Sequence, residues 1–143
     1  MSRLDDLWAE GWAPAWEGLF RADGRSRDAD VAGPDLDGFQ LGEEVDLEEL
    51  MEEDPEALTS VSVFVEAVLP DGSGSLCGGG GSHGSEGLFA RFDVDQKLVW
   101  LLHLGESNEF VRITVDWPVA SFTNNLGNSI TIDLTGPDHA VGR

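Results

Sequence analysis

The chain has 143 residues, 28 of them acidic and 8 basic, for a formal charge of −20 at pH 7. Nucleic acid and anionic membrane would both repel such a chain, so neither is expected as a direct ligand, and the balance points to a strongly basic protein partner. Five Trp and seven Phe within a 41% hydrophobic composition exclude wholesale disorder and suffice for one core.

At the start, "MSRLDDLWAEGW" has no apolar signal-peptide core, and "LVWLLHL" is far too short to span a bilayer. One cysteine, Cys77, excludes an intrachain disulfide and fits a reducing compartment. A soluble, cytoplasmic protein is the expectation. Within 4–20, Leu4, Leu7 or Trp8, Trp12, Ala15 or Trp16 and Leu19 recur at roughly helical spacing. Gly11 and Pro14 oppose one regular helix, so a broken or two-part helix is expected, its tryptophans acting as packing anchors. The following "RADGRSRDADVAGPDLDG" reads as a loop.

Residues 42–58, "GEEVDLEELMEEDPEAL", hold nine carboxylates and no basic residue. Leu47, Leu50 and Met51 stand at i, i+3 and i+4, a narrow apolar seam that predicts a short helix from near Asp46 to before Pro55. A purely solubilising tail has no need of that seam. Glu43, Glu44, Asp46, Glu48, Glu49, Glu52, Glu53 and Asp54 are therefore the candidate partner-binding residues.

The remainder reads as strands. "TSVSVFVEAVL" places Val61, Val63, Val65, Ala67 and Leu69 on one face, with Ser62 and Glu66 opposite. "GLFARFD", "KLVWLLHL", "EFVRITVDW", "VASF" and "SITIDL" follow, joined by short turns that favour antiparallel neighbours. "KLVWLLHL" is apolar on both faces, which predicts a central strand covered on each side. The fold class expected is α+β: an antiparallel meander of five or six strands with amino-terminal helical material packed against it. A small β-sandwich or curled half-barrel competes. One domain spans 1–143, as a helical acidic part (1–58), a sheet part (59–134) and a short tail (135–143).

"LCGGGGSHGSEG" reads as a flexible hairpin connection, with Ser82, His83, Ser85 and Glu86 as a possible contact loop. It lacks the Gly-Lys-Ser/Thr of a phosphate loop, and flanking glycines give a catalytic pair little rigid support. His103, ending an apolar strand, reads as a satisfied core imidazole, and His139 as part of a polar tail. Three scattered histidines and one cysteine make no zinc spacing, and "DVD" and "EED" lack a calcium-loop pattern. No catalytic residue, metal or cofactor is expected.

The run "GGGSHGSEGLFARFDVDQKLVWLLHLGESNEF" resembles small acidic actinobacterial proteins of toxin–immunity systems, in which a Gly-Ser-His-Gly-Ser turn feeds two strands ending in a Ser-Asn segment. The resemblance covers about residues 78–134 and rests on Ser82, His83, Gly84, Ser85, Trp100, Ser107, Asn108 and Phe110. It implies an immunity protein and assigns no residue a role. With the charge, it gives the expected function: not an enzyme, but an inhibitor of a basic, nuclease-like toxin domain. A DNA mimic of the anti-restriction or anti-CRISPR kind is the alternative.

Overall fold

Strand pairing organises the molecule around the segment that is apolar on both faces. The computed structural model describes residues 3–22, 25–82, 84–136 and 140–142, the last three by backbone only. Helix α1 (Arg3–Ala9) leads through β1 (Trp12–Pro14), β2 (Gly18–Arg21) and β3 (Arg25–Asp30) to β4 (Gln40–Asp46). Helix α2 (Leu47–Glu53) follows, then β5 (Leu58–Ser60), β6 (Ser62–Val68), β7 (Ser75–Gly80), β8 (Gly87–Phe92) and β9 (Leu98–Leu104). The chain closes with β10 (Phe110–Asp116), β11 (Val119–Asn124), β12 (Ser129–Asp133) and β13 (Ala140–Gly142).

Seven of these strands form one antiparallel sheet in the order β4-β3-β2-β9-β8-β7-β6, so β9 is the middle strand. A second sheet, β10-β11-β12-β13, packs on one face. Leu19, Leu76, Phe89, Trp100 and Leu102 of the large sheet meet Phe110, Phe122, Ile130 and Ile132 of the small one in a single cluster. Phe89 stacks on Phe122 with ring centroids 3.8 Å apart and takes Phe110 edge-on at 5.0 Å. On the opposite face Phe20, Cys77, Leu88 and Leu101 are covered by Leu4 and Leu7 of α1, Leu47 and Met51 of α2, and Ala13 of the β1–β5 ribbon. Asp5 of α1 also accepts the Leu98 N–H at 2.9 Å, tying that helix to the start of β9.

The antiparallel sheet and the burial of Trp100 and Leu102 agree with the sequence reading. Three expectations are corrected. The strands after Thr59 do not make one meander: β9 is flanked on both edges, by β8 and by β2, so β10 finds no edge there and starts a second sheet. Among the described residues, helical material amounts to two seven-residue helices rather than a helical half. Four strands occupy the first 46 residues, including β3 inside the segment read as a loop.

The strand "TSVSVFVEAVL" is likewise not a simple alternation. Its register against β7 shifts between Val63 and Val65, so Val63 joins Glu66 and Val68 around a cleft on the outer face. Val65 and Ala67 pair with Gly78 and Leu76 beyond that shift.

The four consecutive glycines have a packing reason. Gly78, Gly79 and Gly80 are buried in β7, so most of this run is strand and not flexible hairpin. A Cβ on Gly78 would press on Phe110, one on Gly80 on the Glu109 side chain, and one on Gly79 would collide with the Ser62 carbonyl. Gly87 meets Asn108 and Ser107 in the same way. Bare backbone here lets the beginning of β10 lie directly on β7 and β8. Among the described residues, no helix is long and apolar enough to cross a membrane.

Candidate functional site

The acidic segment folds as an arm made of β4 and α2 at one end of the large sheet. Asp46 sits at φ −107° and ψ 115° ahead of the helix, and its Oδ1 accepts the Glu48 N–H at 2.9 Å. That bond satisfies one of the donors that every helix start leaves open. Leu47 and Met51 are buried and Leu50 is half-buried, so the apolar seam docks as its spacing implied. All eight candidate carboxylates are exposed.

The arm is not bare of cations once folded. Arg3 of α1 pairs with Glu48 at 3.1 Å, and its pKa is raised, first by that hydrogen bond and then by the charge behind it. In the β3–β4 ladder Arg25 lies opposite Asp46 and Arg27 opposite Glu44, with Arg27 Nε donating to the Gly42 carbonyl at 2.9 Å. A cleft of about 490 Å³ opens between β3, β4 and α2, with Arg25 on one wall and Glu44, Asp46, Glu49 and Glu53 on the others. The last turn of α2 and its cap carry Glu52, Glu53 and Asp54 and no basic residue. Carboxylates oppose the negative end of a helix dipole there.

A second constellation is internal. His103 is fully buried; its Nε2 lies 2.9 Å from Glu86 Oε1 and its Nδ1 lies 2.9 Å from the Trp16 carbonyl oxygen. A carbonyl only accepts, so Nδ1 carries a proton. The Glu86–His103 contact then needs one more proton, held by either partner. Thr59 Oγ1 donates to Glu86 Oε2 at 3.0 Å and accepts the Ser82 N–H at 2.8 Å. Ser82 Oγ accepts the Ser60 N–H at 2.9 Å. This network joins β5, the β7–β8 hairpin, β9 and the segment before β2, and it is closed to solvent at its centre.

His103 is thus the satisfied core imidazole its position predicted. Glu86 departs from the contact-loop reading, because it turns inward and is buried. Ser82 and Ser85 are exposed, Ser85 offering its carbonyl to the Asn108 N–H at 2.8 Å, while His83 and His139 lie outside the described residues. Sequence reasoning weighed Glu86 only against its near neighbours and so missed His103. The available signal was a polar side chain inside a two-sided apolar strand, which must find hydrogen-bond partners wherever the fold brings them.

Of the other residues carrying the resemblance, Trp100, Ser107 and Phe110 are core positions rather than surface ones. In comparisons with known proteins, the chain matches no family model, no curated protein and no solved structure.

Proposed function

We propose that the protein is an acidic binding protein that occupies the nucleic-acid-gripping surface of a basic partner, as the cytoplasmic immunity protein of a nuclease-like toxin. One observation carries the reading: the acid is held on a strand–helix unit whose apolar side is anchored in the core. A fixed negative surface can match a fixed positive one, whereas a loose tail must be ordered at an entropic cost on binding. A toxin that grips nucleic acid presents Lys and Arg, and matched carboxylates speed encounter and block the same surface. Nuclease–immunity pairs are among the tightest protein complexes, so the scheme is energetically feasible. No step of it needs catalysis by this chain.

A DNA mimic of the anti-restriction or anti-CRISPR kind shares the electrostatics but needs acid distributed along an elongated face. Thirteen of the twenty-eight carboxylates fall within 28–56, which favours the compact inhibitor. The deciding experiment co-expresses the chain with the carboxy-terminal domain of whatever protein the gene immediately upstream encodes, the expectation being a secreted protein that ends in a basic domain. Cell survival together with a stoichiometric complex is expected. Survival without a complex, or an upstream product with no such domain, overturns the reading.

A further inference from the structure

Strand β6 ends the large sheet and, among the described residues, pairs with β7 alone. Its second edge joins no ladder over seven residues, about 23 Å of extended chain, although β10 of the second sheet packs close against the same strand. Exposed edges are ordinarily guarded by lysine, proline or several charges. This one carries Val63, Phe64 and Val68 at 42%, 54% and 81% exposure, and a single charge, Glu66.

Beside that edge, the outer face of the sheet is also open. The covering helices leave a cleft of about 550 Å³ in which Trp8 and Phe92, edge-to-face at 5.3 Å, form one wall and Cys77 is part of the lining. Glu66 pairs with Cys77 in the ladder and is, among the described residues, the one charged group lining the cleft.

We propose that β6 is a second docking site, where an extended segment of a basic protein adds as an eighth strand and sets an arginine or lysine against Glu66. The inference rests on the reading that the partner is basic, and it places a second contact about 29 Å along the sheet from the β4–α2 arm, six strand spacings away. Each part of the surface selects this occupant. Unpaired edge groups are satisfied by another strand and not by a helix. A carboxylate beside aromatic and aliphatic walls suits a side chain with a long apolar stem and a cationic head. A second copy of this chain fits poorly, since it would bring two Glu66 carboxylates and two chains of charge −20 into one interface.

The test titrates isotope-labelled full chain with a capped nine-residue threonine peptide bearing arginine at its centre and valine two residues to either side. Its counterpart carries neutral citrulline in place of arginine. Amide shifts confined to β6, β7 and the Trp8 indole are expected, with slowed exchange of β6 amides. The citrulline peptide should bind about fivefold more weakly, the scale of an exposed ion pair, and Glu66→Gln should erase that difference. Val68→Lys, at a highly exposed position, should weaken the arginine peptide through like charge.

Shifts centred on β4–α2, equal binding of both peptides, no binding at millimolar peptide, or self-association through β6 in sedimentation would each overturn the proposal. The two readings fail separately. A basic partner lost on neutralising the β4–α2 arm but indifferent to Glu66→Gln removes this site alone. The opposite result removes the acidic arm as docking surface and leaves β6 standing.

Discussion

His103 and Glu86 meet at 2.9 Å in a position where the imidazole is wholly buried and the Trp16 carbonyl fixes its second nitrogen as a donor. The pair bridges the hairpin after β7 to the central strand, and Thr59 extends it to the outer ribbon. Removing one partner strands the other.

Glu86→Ala is therefore expected to destabilise the fold by about 3–5 kcal/mol, the usual scale for breaking a buried pair from one side. Glu86→Gln should cost far less. Its amide can donate to a neutral His103 Nε2 while its oxygen still accepts from Thr59. Urea denaturation of both variants checks this, and equal losses would show that the pair is held by charge rather than by hydrogen bonding.

Cys77 should be chemically silent. Burial first, and the Glu66 carboxylate second, push its thiol from 9.0 up to about 12. Burial thus leaves roughly a thousandfold less thiolate at neutral pH, and only the thiolate is nucleophilic. Alkylation by iodoacetamide should wait for unfolding; a rate like that of free cysteine in the native protein refutes it. The same shift sets an alkaline limit. Between about pH 9 and pH 12 the unfolded thiol has lost its proton while the folded one keeps it, so stability is unaffected below that window and falls as pH rises through it. The chain has no tyrosine and a single lysine, Lys97, so few other side chains blur the effect.

The acid at the end of α2 should be dispensable for folding. Replacing Glu52, Glu53 and Asp54 by Gln, Gln and Asn is expected to raise stability by about 0.3–1 kcal/mol per residue at low salt. Partner association should slow, and the difference from the unmodified chain should vanish as salt approaches about 1 M. Stopped-flow at several ionic strengths reads both, and equal rates at low salt would reduce the arm to solvated surface.

Glycine substitutions should separate close packing from mere looseness. Gly79→Ala drives a Cβ into the Ser62 carbonyl, and a loss of at least about 1–3 kcal/mol is expected. Gly105→Ala meets only the end of the Glu17 side chain, which can move aside, so little change is expected. Thermal midpoints of the two variants decide it.

How far these features could be read from sequence depended on the length of the pattern that carried them. Leu98–Leu104 is seven residues of two-sided apolar character, and its central place followed directly. Leu47, Leu50 and Met51 showed their seam because helix α2 has room for a full turn. Strand β2 is only Gly18–Arg21, too short for alternation to show, and it lies in a stretch whose tryptophans imitate a helical period. Missing it meant missing why β10 leaves for another sheet. The Glu86–His103 pair was hidden for a different reason: its two members belong to different elements, and only the β8–β9 register brings them together. The acidic arm was visible from charge alone, but Arg3, Arg25 and Arg27, which partly balance it, reach it only through the fold.

The pairing of β2 with β9 also orders events during synthesis. Gly18 must wait for His103, so the sheet cannot close until most of the chain has left the ribosome. Contacts of such sequence separation form late, and unpaired strands are vulnerable to sticking to one another while they wait. In this chain the waiting half includes the segment with the densest negative charge. Neighbouring nascent chains on one message therefore repel each other through the interval when their edges are open.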